Sequence, residues 1–267
     1  MFDINFQVKL IKLILHYMYY SKINMNTDDD ESDFKNYLGK SITHRHRGVK
    51  EVLQSLIQTP VGIHQLLVYP HDIEALREVY FHYIMRLLEN NNDIVMFLPF
   101  HETAESVKNV LSSLSIRDGV ALDLNKYIDN GILTIIDSDT AFSSHINNIK
   151  QIGDVIDPNK KNIHNNNGDN FYSLVRMSLS HAKKLGKDNL TIMADYGPIY
   201  NHNKKNRYGI LLDFEKSIPY FFEDIKIRQI CLYSEKYFFE KFNKQQEKNL
   251  IDLHSRSIIM TRTDKLK

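Results

Sequence analysis

Gly62-Ile63-His64-Gln65-Leu66-Leu67-Val68-Tyr69-Pro70-His71-Asp72-Ile73-Glu74 decides the fold class. Gln65 to Tyr69 is an apolar run too short for a buried helix, and it stops at a proline. Beyond it, Ile73, Leu76, Val79, Tyr80, Tyr83, Ile84, Leu87 and Leu88 recur at the three- and four-residue spacings of an amphipathic helix. The unit is strand, tight polar turn, helix. In an α/β protein such a turn lies at the carboxyl edge of the sheet, where ligands bind. A nucleotide-binding protein would place glycines in this turn, but here it carries Pro70, His71 and Asp72.

Strand and helix patterns then alternate along the chain. Short apolar runs at Ile94–Leu98, Ile132–Ile136, Leu190–Ala194, Ile227–Tyr233 and Ser257–Met260 read as strands. Between them, Ala104–Leu114, Phe171–Leu185, Leu211–Phe222 and Tyr237–His254 read as helices, with Pro219 bending or shortening the third. Repeated βα units predict a three-layer α/β/α domain, a mostly parallel sheet with helices on both faces. A small helix over Val49–Ile57 precedes them, and His44-Arg45-His46-Arg47 reads as its solvated basic start. Ser143 to Asn170 has no sustained period and reads as a flexible insertion.

The composition bounds the function without naming it. A chain of 267 residues with 42% hydrophobic residues fits one large globular domain plus appendages. A net charge of +1 gives no general electrostatic case for nucleic acid or a membrane surface. The single cysteine, Cys231, excludes an intramolecular disulfide, and a reducing, cytoplasmic setting is expected. Residues 1–43 form a separate leader. Ile4–Tyr20 is apolar but broken by Lys9, Lys12 and His16, and it is shorter than the roughly 20 residues of a bilayer span. It reads either as a docking helix or, with Met25 as the true start, as untranslated sequence. Asp28–Asp33 follows as an acidic linker.

A parallel sheet brings all its strand carboxyl ends to one edge. That edge should gather Tyr69, His71 and Asp72; His101 and Glu102; Asp137 and Asp139; Asp195 and Tyr196; and Tyr233. Each residue also has a plain structural explanation: Asp72 can cap the helix beginning at Ile73, and Glu102 suits the first turn of the next helix. The convergence is the informative feature.

Leu190 to Asp195 has the form of a Walker B strand, an apolar run ending in a carboxylate, and Leu133 to Asp137 is close to it. No phosphate cradle accompanies them. Pro70 has no N–H to offer a phosphate, Asp72 repels one, and the turn holds no lysine. Gly39-Lys40-Ser41 imitates the end of a phosphate loop, but Phe34 stands where its first glycine belongs and no strand precedes it. His71, His101, Asp137 and Asp195 lack any local metal-binding signature, so neither a metal nor another cofactor is expected. Cys231 lies within an apolar run and reads as an inert buried thiol.

From Gly62 to Met260 the sequence resembles the MEDS sensory domain family (methanogen/methylotroph DcmR sensory). The resemblance is carried by Gly62-Ile63-His64 with the strand to Tyr69, the Glu74–Leu88 helix, and Asn130-Gly131-Ile132-Leu133-Thr134-Ile135. The Ala182–Gly186 helix end, Cys231-Leu232-Tyr233 and the Leu250–His254 helix end complete it. The chain departs from the family at Ala194-Asp195-Tyr196, at His254-Ser255 and in the long insertion. The resemblance implies a RecA/KaiC-like core without an intact phosphate loop, with His64, Tyr69, Asp195 and His254 at recurring polar positions. It further implies a sensory role for residues 44–262, with a small organic ligand bound, and favours a non-enzymatic function while leaving an enzyme open. Its output would pass to a protein partner, a kinase or transcription regulator, with oligomerisation compatible. The enzyme-class alternative is a RecA/KaiC-type ATPase or kinase with a degenerate phosphate loop, and the third reading is a scaffold without a ligand.

Overall fold

The computed structural model describes residues 42–46, 48–71, 73–117, 123–147, 171–201, 207–217, 221–222 and 224–260. The leader, the acidic linker, Gly39-Lys40-Ser41, Asp72 and most of the insertion lie outside them. In chain order the elements are β1 (Ile42–His46), α1 (Val49–Ile57), β2 (His64–Tyr69), α2 (Ile73–Glu89) and β3 (Asp93–Leu98). They continue with α3 (Ala104–Arg117), α4 (Leu124–Asp129), β4 (Leu133–Ile135), α5 (Ser138–Asn147) and α6 (Phe171–Leu185). Next come β5 (Asn189–Asp195), α7 (Gly197–Asn201), α8 (Arg207–Ser217), β6 (Phe221–Phe222) and β7 (Ile225–Ser234). The last are α9 (Glu235–Lys241), α10 (Lys244–Leu253) and β8 (Arg256–Met260).

Seven strands form a parallel sheet in the order β1-β8-β2-β7-β5-β3-β4, and β6 adds an antiparallel pair to β7. Alternation along each strand sorts side chains between two cores. Leu67, Tyr69, Val95, Phe97, Met193 and Leu232 pack with α1 to α4 on one face. Leu66, Val68, Met96, Ile192, Cys231 and Tyr233 pack with α5 to α10 on the other. This is the three-layer α/β/α arrangement. The chain leaves β3 towards β4 and leaves β5 towards β7, in opposite directions across the sheet. The carboxyl ends of β3 and β5 are therefore the topological switch point of the sheet, the place where open α/β sheets form their ligand crevice.

Several expected boundaries are corrected. The basic stretch from His44 to His46 is part of an edge strand, β1, paired in parallel with β8, rather than a helix start. Parallel edge pairing supplies hydrogen bonds that local charge patterning does not announce. The helix expected over Leu211–Phe222 begins earlier, at Arg207, and ends at Ser217, with Phe221–Phe222 in strand β6. The helix expected over Tyr237–His254 is two helices. Buried Phe242 and then Asn243 leave helical geometry, and Asn243 starts α10 with a reciprocal capping box. Its side chain accepts from the Gln246 N–H at 3.0 Å, while the Gln246 side chain accepts from the Asn243 N–H at 3.0 Å. Helix α5 also extends into the start of the expected insertion.

The end of α6 follows its sequence signal. Gly186 adopts φ +63°, the Lys187 N–H donates to Ala182 O at 2.9 Å, and the Gly186 N–H donates to Lys183 O at 3.3 Å. This is a Schellman cap, which glycine adopts without a Cβ penalty.

Asn243→Ala should lower the unfolding free energy by about 0.5–2 kcal/mol, the usual cost of a lost N-cap. A urea titration reads this as a lower midpoint with an unchanged slope. An unchanged midpoint would mean that α10 is held by its packing alone.

Candidate functional site

The switch-point crevice is built around Asp195, the last residue of β5, whose exposure is 2%. The Tyr69 hydroxyl donates to its Oδ2 at 2.5 Å across the intervening β7, and the Gly197 N–H donates to its Oδ1 at 2.8 Å. Ser138 joins the two walls, with its hydroxyl 2.5 Å from Asp195 O and 3.2 Å from Leu98 O. Burial raises the Asp195 carboxyl to about 7, even though the bonds from Tyr69 and Gly197 oppose the rise. His101 Nε2 lies 3.8 Å from Asp195 Oδ2 and is buried without a hydrogen-bond partner. Burial, and then the nearby His71, lower the His101 imidazole to about 4, so it is neutral at pH 7.

Aromatic rings surround this acid–imidazole pair. His101 stacks on Tyr237 with ring centroids 5.9 Å apart, meets Tyr69 edge-on at 5.4 Å, and contacts Phe100 at 5.1 Å. Tyr237 in turn packs on Tyr200 at 6.0 Å. Gly197 is required here by close approach, because a Cβ would lie 2.0 Å from Phe100 Cδ1. The arrangement can give a small molecule one hydrogen-bonding head group, at a protonatable carboxyl and a neutral imidazole, and an aromatic wall for its apolar part.

The expected site residues divide among four places. Tyr69, His101 and Asp195 meet in the crevice, and His71 is exposed in the turn beside it. Asp137 lies next to the crevice, where its Oδ1 accepts the Ala104 N–H at 2.6 Å and so caps α3. Glu102 joins α2 to α3 instead. It accepts from Arg77 Nη2 at 3.0 Å, Arg77 Nε at 3.2 Å, Tyr80 at 2.9 Å and Ser106 at 3.0 Å. A groove of about 540 Å³ runs beside that clamp between α2 and α3.

His64, Tyr196, Tyr233 and His254 belong to a second constellation, buried beneath α8 on the face carrying α5 to α10. Its centre is Glu215 of α8, with 1% exposure. Glu215 Oε2 lies 2.8 Å from His64 Nε2, 2.9 Å from Cys231 Sγ and 3.3 Å from His254 Nε2. The Tyr233 hydroxyl donates to its Oε1. Gln229 donates to the Tyr196 hydroxyl at 2.5 Å and lies 3.4 Å from Cys231 Sγ. Burial alone would raise the Glu215 carboxyl, but the two imidazoles hold it below the usual carboxylate range. Burial, then Glu215, push the Cys231 thiol well up. Cys231 is thus buried, as its apolar run implies, but it faces polar partners.

Sequence reading missed Glu215 and Gln229. Glu215 sits on a helix with almost no periodic signal, and no local spacing links it to a histidine 151 residues earlier in the chain.

No family model matches the chain, and no curated protein matches it in sequence. Among solved structures it is similar to a KaiC-like protein from the hyperthermophilic archaeon Pyrococcus horikoshii, at 12% identity and a TM-score of 0.42. The similarity covers 78% of this chain and 76% of that one. No described helix is long and apolar enough to cross a membrane.

The raised Asp195 carboxyl has a pH signature. Below its ordinary value of 3.8 both folded and unfolded chains hold the proton. Between there and about 7 the unfolded chain has lost the proton while the folded chain keeps it, so this group's contribution to stability falls as pH rises. Asp195→Asn removes the titration. Measured against the parent by denaturant midpoints, the variant should gain up to about 4 kcal/mol across that window and level off above it. A difference independent of pH would show that Asp195 titrates normally.

Proposed function

We propose that this chain is a non-catalytic sensory domain that takes a small, neutral organic molecule at the switch-point crevice and signals through a protein partner. The observation that carries this reading is the first βα turn. Where a nucleotide-dependent relative would wrap glycine N–H groups around phosphate, Tyr69 closes onto Asp195 and Pro70 is buried with no N–H to give. Both Asp195 oxygens are engaged by protein donors, which leaves the carboxylate poorly placed to hold a magnesium ion.

The ligand chemistry follows from the lining. A neutral imidazole whose Nε2 lacks a partner, beside a carboxyl near its midpoint at pH 7, suits one neutral donor–acceptor head group. Tyr69, Phe100 and Tyr237 suit a short apolar body. Short alcohols, amides and related hydrocarbon derivatives fit that description. The resemblance to the MEDS sensory family is in keeping with this reading and with output through a kinase or transcription regulator.

Thermal-shift screening of short-chain alcohols and amides tests the proposal. A ligand at 100 times its dissociation constant should add about 2.7 kcal/mol of stability. His101→Ala should abolish that shift while the variant remains folded. In parallel, calorimetry with ATP and magnesium should give no heat of binding. Turnover of ATP that disappears in Asp195→Asn would overturn the proposal in favour of a degenerate ATPase.

A further inference from the structure

The constellation under α8 has the chemistry of a metal centre, and it is independent of the crevice. Four different segments each supply one ligand atom: His64 opens β2, Cys231 lies in β7, Glu215 lies in α8 and His254 follows α10. These four atoms all lie within 4.8 Å of one another, and all four residues are buried. Nothing local in the sequence groups them. The parallel pairing of β2 with β7 and the packing of α8 over that face do so.

The state of His254 is the second, independent observation. Its Nδ1 lies 2.6 Å from Leu250 O, and a backbone carbonyl can only accept, so Nδ1 carries a proton. This leaves Nε2 as the ring atom that faces the cluster. That Nε2 is buried and makes no hydrogen bond, although Glu215 Oε2 is 3.3 Å away. A histidine fixed by a backbone acceptor on one nitrogen, with the other turned towards a buried carboxylate and thiol, is the posture of a metal ligand.

The groups around the cluster fit the same role. Tyr233 donates to the outer oxygen of Glu215, and Gln229 approaches the sulfur of Cys231. Both are donors of the kind that orient a ligating carboxylate and thiolate. Charge balance agrees: one thiolate and one carboxylate neutralise a divalent ion, so the buried site with the ion bound carries no net charge. The ligand atoms now stand 2.7 to 3.3 Å apart where they are in contact. Tetrahedral coordination at zinc bond lengths needs edges of about 3.3–3.8 Å, so the contacting pairs would open and the wider ones, up to 4.8 Å, would close, each by about 1 Å.

We propose that His64, Glu215, Cys231 and His254 form a closed four-ligand site for a divalent transition ion of the zinc type. A thiolate with two imidazoles disfavours calcium and magnesium, which take oxygen ligands. With four protein ligands no position is left for substrate, so the ion acts structurally and ties β2, β7, α8 and the end of α10 together. Binding releases the Cys231 proton to solvent, so the affinity falls as pH is lowered.

The full chain, treated with chelator and dialysed, is titrated with cobalt(II) and then with zinc(II). The expected result is one cobalt per chain, with visible bands of tetrahedral cobalt and a near-ultraviolet sulfur-to-cobalt band, all removed by zinc. Cys231→Ser should lose the sulfur band. Tyr233→Phe, which retains all four ligands, should retain the stoichiometry and bind about 10–100-fold more weakly. Should the ligand variants fail to fold, the parent spectrum and the Tyr233→Phe affinity decide alone. A folded parent that takes up no cobalt, or a sulfur band that survives Cys231→Ser, overturns the proposal. So does Tyr233→Phe binding as tightly as the parent.

Discussion

Helices cover both faces of strand β7, so every residue from Ile227 to Ser234 is buried, whatever its chemistry. A strand offers only two directions for its side chains, and successive residues must take opposite ones. Along β7 this sends Ile230 and Leu232 to the core with α1 to α4, and sends Cys231 and Tyr233 to the core with α5 to α10. Parallel pairing with β2 and β5 extends the same sorting to both neighbours. The two polar constellations of the protein are consequences of this constraint, since Tyr69 and Asp195 fall on one parity and His64 and Cys231 on the other.

Polar groups forced into a dry interior must satisfy one another. Glu215 is the extreme case, a carboxylate without solvent that gathers Tyr233, Cys231 and His64 as partners and brings His254 close. The crevice solves the same problem differently. Asp195 takes a tyrosine hydroxyl and a backbone N–H, yet burial still keeps its carboxyl near the protonated state. One site is thus a closed knot of wholly buried side chains, while the other lies at the strand ends, and each keeps an imidazole nitrogen without a hydrogen bond, His254 Nε2 in the first and His101 Nε2 in the second.

A continuous run of rings joins the two sites. Tyr233, which donates to Glu215, stacks on Tyr200 at 5.7 Å, Tyr200 packs on Tyr237, and Tyr237 stacks on His101. Packed aromatic side chains of this size have few alternative arrangements. The knot therefore fixes the wall of the crevice as well as the strands beneath it.

Much of the scaffold was legible in the sequence because its signals are local. The apolar run before Pro70, the spacing of α2, the stop at Gly186 and the turn without a phosphate cradle each depend on neighbours in the chain. The break at Asn243 was equally local in its cap, but the apolar spacing of Tyr237 to Leu250 runs through it, and only the burial of Phe242 separates α9 from α10. The strand-end rule grouped Tyr69, His101 and Asp195, which do lie in contact. It also drew in Tyr233 and Tyr196, because chain position locates the end of a strand without fixing what the side chain meets there. Tertiary structure alone decided the partners of Glu215: strand pairing and helix packing unite residues far apart in the chain, and no periodicity records that contact.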